Sequence, residues 1–463
     1  MVTEALRHIQ ADLAALLDAP TILALCREVG YQWRARLLDP VTTVHLFILH
    51  ILHGNTACSH LPHLAGTRLT ASAFCQARTR LPLVVWQPWL RRTSAVCEQT
   101  THDEGRWRGH RTFLVDGSGF SMPDTPELQE YCGQPSGQRP GCGFPVAHML
   151  ALFHARTGFL LEVLAAPWHT HDMAQDAWRH PVLRPGDVLV GDRACCSCAH
   201  LALMHRQELH ALFRVRQKQI VDFTPDRPHT APKPQATQKG LPRSRWLRQL
   251  GVTDPRVARV TPGRPPVHPP AWMTPELCAA LPEVLCVREL RDRVAQAGFR
   301  TQLVTWVTTL LEVDRYPADA LAERYHMRWQ VEINLRHLKQ TLGLDVLHGQ
   351  RLVGVFKELT VLALVSNLVR VVMREAAKRQ GVALERISFV DAWRWLSTAR
   401  PGELLPSLVV NPHRPNRVEP RVVTRRPTPY PLLMQPRRVA RHALIQRIKN
   451  SCGAEPPHNS GLN

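Results

Sequence analysis

The segment from residue 110 to residue 215 alternates short apolar strands with helices, and this order constrains the fold more than any other feature of the chain. "RTFLV" at 111–115 predicts a strand, and "AHMLALFHARTGFLLEVLAA" at 147–166 has two apolar runs around "RTG", which predicts a hairpin. "HDMAQDAWRH" then predicts a helix, "GDVLVG" a strand, "SCAHLALMHRQEL" a helix and "ALFRVRQ" a strand. Three strands, a helix, a strand, a helix and a strand make a mixed α/β core.

Two of these strands end in a carboxylate. Asp116 lies in "FLVDGSG" and Asp192 in "VLVGDRA", each beside small residues. Mg²⁺ in proteins is typically held by one or two carboxylates together with substrate phosphates. A single Asp at a strand end is more often structural. A metal site at these two residues is therefore indicated only if a third carboxylate joins them.

The third candidate is Glu332, in the basic run "RYHMRWQVEINLRHLKQ" at 324–340. This run has no Pro or Gly and predicts a helix, in which Trp329, Ile333 and Leu338 could face a core. At about 100° per residue, four side chains of the run fall in one narrow stripe: Tyr325, Arg328, Glu332 and Lys339.

Two interpretations of Glu332 are open at this point. On a solvated helix face it would pair with Arg328 or Arg336 at a spacing of four residues, for a few tenths of a kcal/mol. Alternatively, it would join Asp116 and Asp192, because three carboxylates can hold two Mg²⁺ ions that clamp the oxygens of a phosphoryl transfer.

Charge and cysteine content narrow the class of protein. The chain has 58 Lys and Arg against 38 Asp and Glu, a net charge of +20, which favours a polyanionic partner such as nucleic acid. The 12 cysteines stand in a long chain whose start does not resemble a signal peptide and whose apolar runs look too short to cross a bilayer, so we expect a reduced, cytosolic protein without a membrane. The segment Cys195, Cys196, Ser197 and Cys198 with His200 allows a metal site or simply buried thiols.

Composition divides the chain into five regions. We expect a helical N-terminal domain that binds DNA, the first part of the catalytic core, an insertion rich in Pro and Arg with short strands, the second part of the core, and a helical and basic tail that is either solvated or a DNA-contacting arm. Within the first region, a helix-turn-helix-like unit and a plain helical bundle are both possible around residues 56–81. The five regions are 1–100, 110–215, 216–308, 309–375 and 376–463.

The motifs together resemble a known family. Asp116, Asp192 followed by Arg193, and Glu332 within Tyr-x2-Arg-x3-Glu-x6-Lys are similar to the catalytic triad and signature of DDE transposases. The nearest resemblance is to the bacterial insertion-sequence-four type, within the RNase H-like, retroviral-integrase superfamily, and it covers roughly residues 60–375. One departure is "ACCSC" after the Asp-Arg pair, where relatives often carry Gly and an aromatic residue.

The resemblance implies an α/β fold with an RNase H-like mixed-sheet catalytic core and a β-rich insertion. It implies that Asp116, Asp192 and Glu332 are catalytic and hold two Mg²⁺ ions, with Mn²⁺ as a substitute. Trp306 would stack on an extruded base, or else it is a core strand residue. Contacts to DNA are expected from Tyr325, Arg328 and Lys339, with Arg193 and Arg336 as further candidates.

The implied function is that of a DNA transposase. Such an enzyme binds the terminal inverted repeats of its insertion sequence, cleaves the ends and joins the 3′-OH to target DNA, as a homodimer in the synaptic complex at the bacterial nucleoid. Two alternatives stay open from the sequence: a catalytically silent DNA-binding descendant of a transposase, and an RNase H-like nuclease.

Overall fold

The structure is a computed structural model of the whole chain. It describes residues 2–9, 11–34, 36–99, 106–135, 139, 141–168, 170, 182–215, 256–260, 274–279, 285–293, 303–400, 402–412 and 434–452. The predicted helix at 171–180 and most of the predicted insertion therefore lie outside the described residues.

One mixed sheet of eight strands organises the described part of the chain, in the order β3-β2-β1-β4-β5-β8-β7-β6. Strands β1, β2 and β3 are antiparallel neighbours, whereas β4 and β5 run parallel to β1. This arrangement confirms the RNase H-like mixed-sheet class and the hairpin predicted around "RTG". The strands are β1 Thr112–Ser121, β2 Val146–His154, β3 Leu160–Pro167, β4 Val188–Gly191, β5 His210–Arg214, β6 Arg256–Val260, β7 Leu285–Arg293 and β8 Leu303–Thr308.

Strands β6, β7 and β8 extend this same sheet beyond β5. Leu212 in β5 pairs antiparallel with Thr308 in β8, and β8 then pairs with β7. The strands within 216–308 are therefore continuous with the core sheet, and β8 is a central strand of it. The sequence did not indicate this continuity, because strand pairing across a long separation leaves no local pattern.

Alternation of side chains along the strands gives the sheet two apolar faces. Leu114 and Val190 belong to the larger hydrophobic core, which also contains the N-terminal helices. Phe113 and Leu189 face a smaller core, which is covered by α9 at Cys198–Arg206. Asp116 has the same parity as Leu114, and Asp192 the same parity as Val190, so both acids belong to the side of the larger core.

Helices precede the sheet and follow it. The first seven helices share the larger core with the sheet, and Trp89 Nε1 donates to Leu16 O at 3.0 Å within this bundle. The role of the bundle in DNA binding stays a prediction. The helices are α1 Val2–Arg7, α2 Ala11–Leu16, α3 Ala19–Glu28, α4 Pro40–Leu52, α5 Leu61–Ala65, α6 Ala71–Arg80, α7 Leu83–Gln99, α8 Pro126–Cys132, α9, α10 Pro275–Ala279, α11 Ala318–His326, α12 Trp329–Arg336, α13 Leu352–Gln380, α14 Phe389–Thr398 and α15 Arg437–Cys452.

The 29-residue helix α13 is largely buried. Its length and apolar composition would suffice to cross a membrane, but most of its apolar window is buried by other parts of the chain, as in the core helix of a globular protein. Asn367 ties it to the edge strand, because its side chain accepts from Leu160 N and donates to Leu160 O, both at 2.8 Å. The buried carboxylate of Glu358 accepts from His348 N and Gly349 N, which fixes the segment that joins α12 to α13.

Candidate active site

Asp116 and Asp192 lie side by side because their strands are parallel neighbours. Val115 in β1 is in register with Gly191 in β4, and each acid is the next residue along the chain. Strand β1 does not end at Asp116 as predicted; it continues to Ser121 against β2, while β4 stops at Gly191. The two acids therefore lie at the C-terminal edge of the parallel strands, where β4 ends and β1 continues without a parallel neighbour.

Each of these carboxylates is oriented by the backbone that follows it. Gly117 N donates to Asp116 Oδ1 at 3.0 Å, and Ala194 N donates to Asp192 Oδ1 at 2.7 Å. In each case one carboxylate oxygen is held by the turn. These hydrogen bonds orient the two side chains, and the second oxygen of each carboxylate can still accept a further hydrogen bond.

Glu332 reaches this edge from α12, which packs against β1. The predicted single helix over 324–340 is instead divided into three parts. Between α11 and α12, Arg328 N donates to Tyr325 O and Val331 N to Arg328 O, both at 2.9 Å, so the chain tightens to a spacing of three residues. After α12 it widens to a π-helical turn at His337–Thr341.

Arg328 links Glu332 to Asp116. Its Nη2 donates to Glu332 Oε1 at 2.9 Å, and its Nη1 lies 3.9 Å from Asp116 Oδ2. Burial acts to lower the pKa of Arg328, but Tyr325, Glu332 and Asp116 around it raise that pKa overall. The guanidinium is therefore a firmly charged counter-ion shared by two of the three predicted catalytic acids.

The electrostatics of the site show that the acids are crowded. The pKa of Asp116 is raised to about 6, mainly by burial and then by the neighbouring Asp192 and, more weakly, Glu332, against the opposing effects of Arg328 and the hydrogen bond from Gly117 N. Burial likewise raises the pKa of the Tyr325 hydroxyl to about 12, so Tyr325 stays neutral beside Arg328. Asp116 is thus repelled by the two other acids, and the guanidinium of Arg328 offsets only part of this repulsion.

The three acids are close but not converged. Within the described ranges no three His, Cys, Asp or Glu side chains are grouped tightly enough to hold a metal ion. On α12, the carboxylate of Glu332 is paired with Arg328, and its side chain is 45% exposed. Hard carboxylate oxygens at an open sheet edge are nevertheless the donor set that Mg²⁺ prefers.

The predicted DNA-binding residues differ in their exposure. Arg193 and Arg336 are both exposed, the first directly after Asp192 and the second one helical turn after Glu332. Lys339 lies in the π-helical turn, where its Nζ pairs with Asp345 Oδ1 at 2.9 Å, a partner that the sequence did not indicate. Tyr325, in contrast, is only 6% exposed, so in this structure it contacts Arg328 from within the protein rather than offering a surface.

Trp306 matches the core interpretation of its position. Its side chain is 1% exposed in β8, and its ring lies 5.4 Å from the ring of Tyr325. In this conformation the indole offers no face to an extruded base. The two rings instead pack β8 against the last turn of α11. Capture of an extruded DNA base would therefore need Trp306 to leave the core.

The apolar face predicted for the Glu332 helix is corrected by the structure, whereas the cysteine segment agrees with one of its two interpretations. Trp329 and Ile333 do not face a core, since they are 47% and 39% exposed, whereas Leu338 is fully buried as expected. The tight turn before α12 rotates the helix relative to an ideal one, and this displaces the predicted apolar face. The thiols of Cys195 and Cys196 are buried in the smaller core, as expected for buried thiols.

Arg370, in helix α13, was not among the functional residues predicted from the sequence. Its Nη2 donates to Asn334 Oδ1, so it contacts the same helix that carries Glu332. A signal was present in the sequence, because Arg370, Arg374 and Lys378 recur at a spacing of four residues.

The region that contains this geometry matches a known family model. The model is described as the transposase DDE domain, and it matches residues 107–368, more than half of the chain, including all three acids. The chain belongs to the DDE transposase family.

Relatives of this DDE transposase include two proteins of Escherichia coli. The putative transposase InsZ is 34% identical over 113 residues, which cover 22% of this chain and 36% of InsZ. The transposase InsG for insertion sequence element IS4 is 31% identical over 162 residues, which cover 31% of this chain and 37% of InsG. These matches span little more than a third of each relative, and they confirm the resemblance to the insertion-sequence-four type.

A solved structure also resembles this DDE transposase weakly. It is the cryo-EM structure of a piggyBac transposase synaptic complex with hairpin DNA, which aligns with 86% of this chain and 79% of its own at a TM-score of 0.39 and 9% identity. A likeness of this size adds nothing to the fold assignment, which rests on the sheet order.

Proposed function

We propose that this protein is a DNA transposase that binds the terminal inverted repeats of an insertion sequence, cleaves the ends and joins the freed 3′-OH to target DNA. The observation that carries the proposal is the pair Asp116 and Asp192 on neighbouring parallel strands, with Glu332 linked to Asp116 through Arg328. Family membership supports the same conclusion. Two copies of the chain would each bring one transposon end to a synaptic complex at the bacterial nucleoid.

Asp116, Asp192 and Glu332 would hold two Mg²⁺ ions, or Mn²⁺ in their place. The fit rests on the crowding of these acids, since Asp192 and Glu332 both raise the pKa of Asp116 and a cation would relieve that repulsion. When bound, such ions would activate the attacking oxygen and stabilise the leaving oxygen of an in-line displacement. Gly117 N and Ala194 N would keep the two Asp carboxylates oriented for this task.

The basic residues around the acids would position the scissile strand. Arg193 and Arg336 are exposed and suit phosphate contacts, and Lys339 would exchange its pairing with Asp345 for a phosphate. Arg328 would neutralise Glu332 until the substrate binds and then be available to a phosphate oxygen. The buried Tyr325 would not touch DNA but would hold Arg328 in place.

The exposed helix α15 would serve as a further DNA-contacting arm. Its sequence, "RRVARHALIQRIKNSC", contains basic residues and no acidic ones, and the described side chains at its start are exposed. Contacts of this kind bind the backbone without reading sequence. The arm would therefore raise affinity for all DNA, and the choice of ends would depend on other parts of the chain.

The test is a cleavage and joining assay on DNA that carries the inverted repeats flanking the gene. With Mg²⁺, the wild-type protein should release the ends and join them to a supercoiled plasmid, Asp192→Asn should do neither, and the exposed Asp314→Asn should behave as wild type. Cleavage that ignores the repeats would identify a nuclease. Specific binding by a wild-type protein that never cuts would identify a silent descendant.

A further inference from the structure

A cavity of about 600 Å³ lies on the side of α12 that carries Gln330 and Asn334. The turn between β2 and β3 closes one wall, and the second half of α13 closes another. The charged residues of its lining are four basic side chains and one acidic one: Arg156, Arg370, Arg374, Lys378 and Glu385. The cavity is therefore strongly positive, and it is separate from the three acids of the candidate active site.

Arg370 is a buried cation at this cavity. Its side chain is 7% exposed, its Nη2 donates to Asn334 Oδ1, and its guanidinium lies 5.3 Å from the centre of the Phe389 ring. Within the described part of the chain its Nε has no hydrogen-bond partner, and no carboxylate lies within 4.0 Å of it. A buried charge without a counter-ion is costly, so an anion at this position would stabilise the fold.

The arrangement of charge along α13 points to the same ligand class. Arg370, Arg374 and Lys378 are successive at a spacing of four residues, which places them on one face, where like charges repel. Burial lowers the pKa of Arg370 only to about 10, so it remains protonated at neutral pH. Arg379 lies on another face of this helix, outside the cavity lining, and pairs with Glu375 at 2.8 Å.

We propose that this cavity binds a phosphate-type anion, with Arg370 as its buried contact and Arg374 and Lys378 as its outer contacts. A planar guanidinium matches the geometry of phosphate oxygens, and the cavity has the volume of a small-ligand site. The phosphate could belong to the backbone of bound DNA or to a small phosphate compound. The proposal does not depend on the catalytic acids.

Thermal unfolding with pyrophosphate, at constant ionic strength, tests the shared chemistry. The wild-type protein should show a saturable rise in Tm of roughly 2 °C or more. Arg374→Gln combined with Lys378→Gln should lose most of this rise. The control, Arg379→Gln combined with Arg394→Gln, removes equal charge from outside the cavity and should keep it. Absence of a saturable rise in the wild type, or an equal rise in both double variants, would overturn the proposal.

Binding of duplex DNA then distinguishes the two sources of phosphate. If DNA supplies it, the cavity variant should bind DNA more weakly than the control, with a shallower dependence of affinity on salt. If a small compound supplies it, the two variants should bind DNA equally although only the control responds to pyrophosphate. Arg370→Lys keeps the charge and loses the planar fork, so we expect a weaker pyrophosphate response from this variant than from the wild type.

Discussion

The Nη2 atom of Arg328 lies 2.9 Å from Oε1 of Glu332, one helical turn further along the chain. The same guanidinium lies 3.9 Å from Asp116, so one cation offsets part of the charge of two acids. Glu332 is thus neither a free metal ligand nor a simple surface residue in this structure. The pairing joins the two interpretations that the sequence left open, because the i,i+4 ion pair is present and one of its members also contacts a strand acid.

Replacing Arg328 by Gln should destabilise the protein in the absence of divalent cations. Asp116 would lose its counter-ion, at a cost of about 1–2 kcal/mol after allowance for the exposure of Glu332. Added Mn²⁺ should narrow the difference, because it would replace the missing positive charge. Urea unfolding with and without Mn²⁺ measures both effects, with the exposed Arg336→Gln as control. A loss of stability that Mn²⁺ leaves unchanged would contradict the shared counter-ion.

Asp116→Asn should stabilise the protein at pH 7.5 without metal. The folded-state pKa of about 6 lies above the value near 3.9 of an unfolded Asp, so the stability that this group contributes is complete below pH ~4 and is lost as pH rises through ~6. The gain on substitution should be on the order of 1–2 kcal/mol at pH 7.5 and should vanish near pH 4. Chemical unfolding at the two pH values checks this, and an Asn variant less stable than wild type at pH 7.5 would refute it.

Glu358→Gln should cost far more stability than Glu375→Gln. Glu358 is fully buried and accepts from His348 N, Gly349 N and Asn55 Nδ2, so an amide nitrogen in its place would face a donor. We expect a loss of about 2–4 kcal/mol. Glu375 is paired with Arg379 on a partly exposed face, and its loss should cost less than about 1 kcal/mol. Equal losses in urea unfolding would show that the buried carboxylate is not structural.

Removing the residues after Pro412 should weaken binding to DNA of any sequence and leave Tm unchanged. The cut must follow Pro412 because Leu405 and Leu408 are buried and Val410 pairs with Ile387. Loss of the basic helix α15 should also make the dependence of affinity on salt shallower. Gel-shift titration at several salt concentrations measures both quantities. A truncated protein that binds random duplex as well as the full chain would mean that the tail is only solvated.

The elements that the sequence predicted correctly are those with a local pattern. Strands β1 to β5 and the hairpin between β2 and β3 follow from short apolar runs and turn residues. The closeness of Asp116 and Asp192 follows from their places along two strands that become parallel neighbours. For these features, the local pattern of apolar and turn residues, together with the order of the elements along the chain, is sufficient for the prediction.

Other features depend on departures from ideal geometry. The stripe predicted for Tyr325, Arg328, Glu332 and Lys339 assumes about 100° per residue. The tight turn at Arg328 and the π-helical turn at Lys339 break that assumption, which is why Lys339 pairs with Asp345 instead. The burial of Trp306 depends on β8 joining the core sheet, a long-range pairing that no local pattern indicates.

Glu332→Gln is the most direct test of the three-carboxylate site. The amide keeps the size and nearly the helix propensity of Glu332, and the ion pair that it loses is partly exposed, so stability should change by no more than about 0.5 kcal/mol. The measurement is the rate of nicking of a labelled terminal-repeat duplex with Mg²⁺ or Mn²⁺, alongside gel-shift binding, with the exposed Glu323→Gln as control. The predicted result is a fall in nicking by orders of magnitude with DNA binding retained or tightened. A folded Glu332→Gln protein that nicks at the wild-type rate would contradict the site.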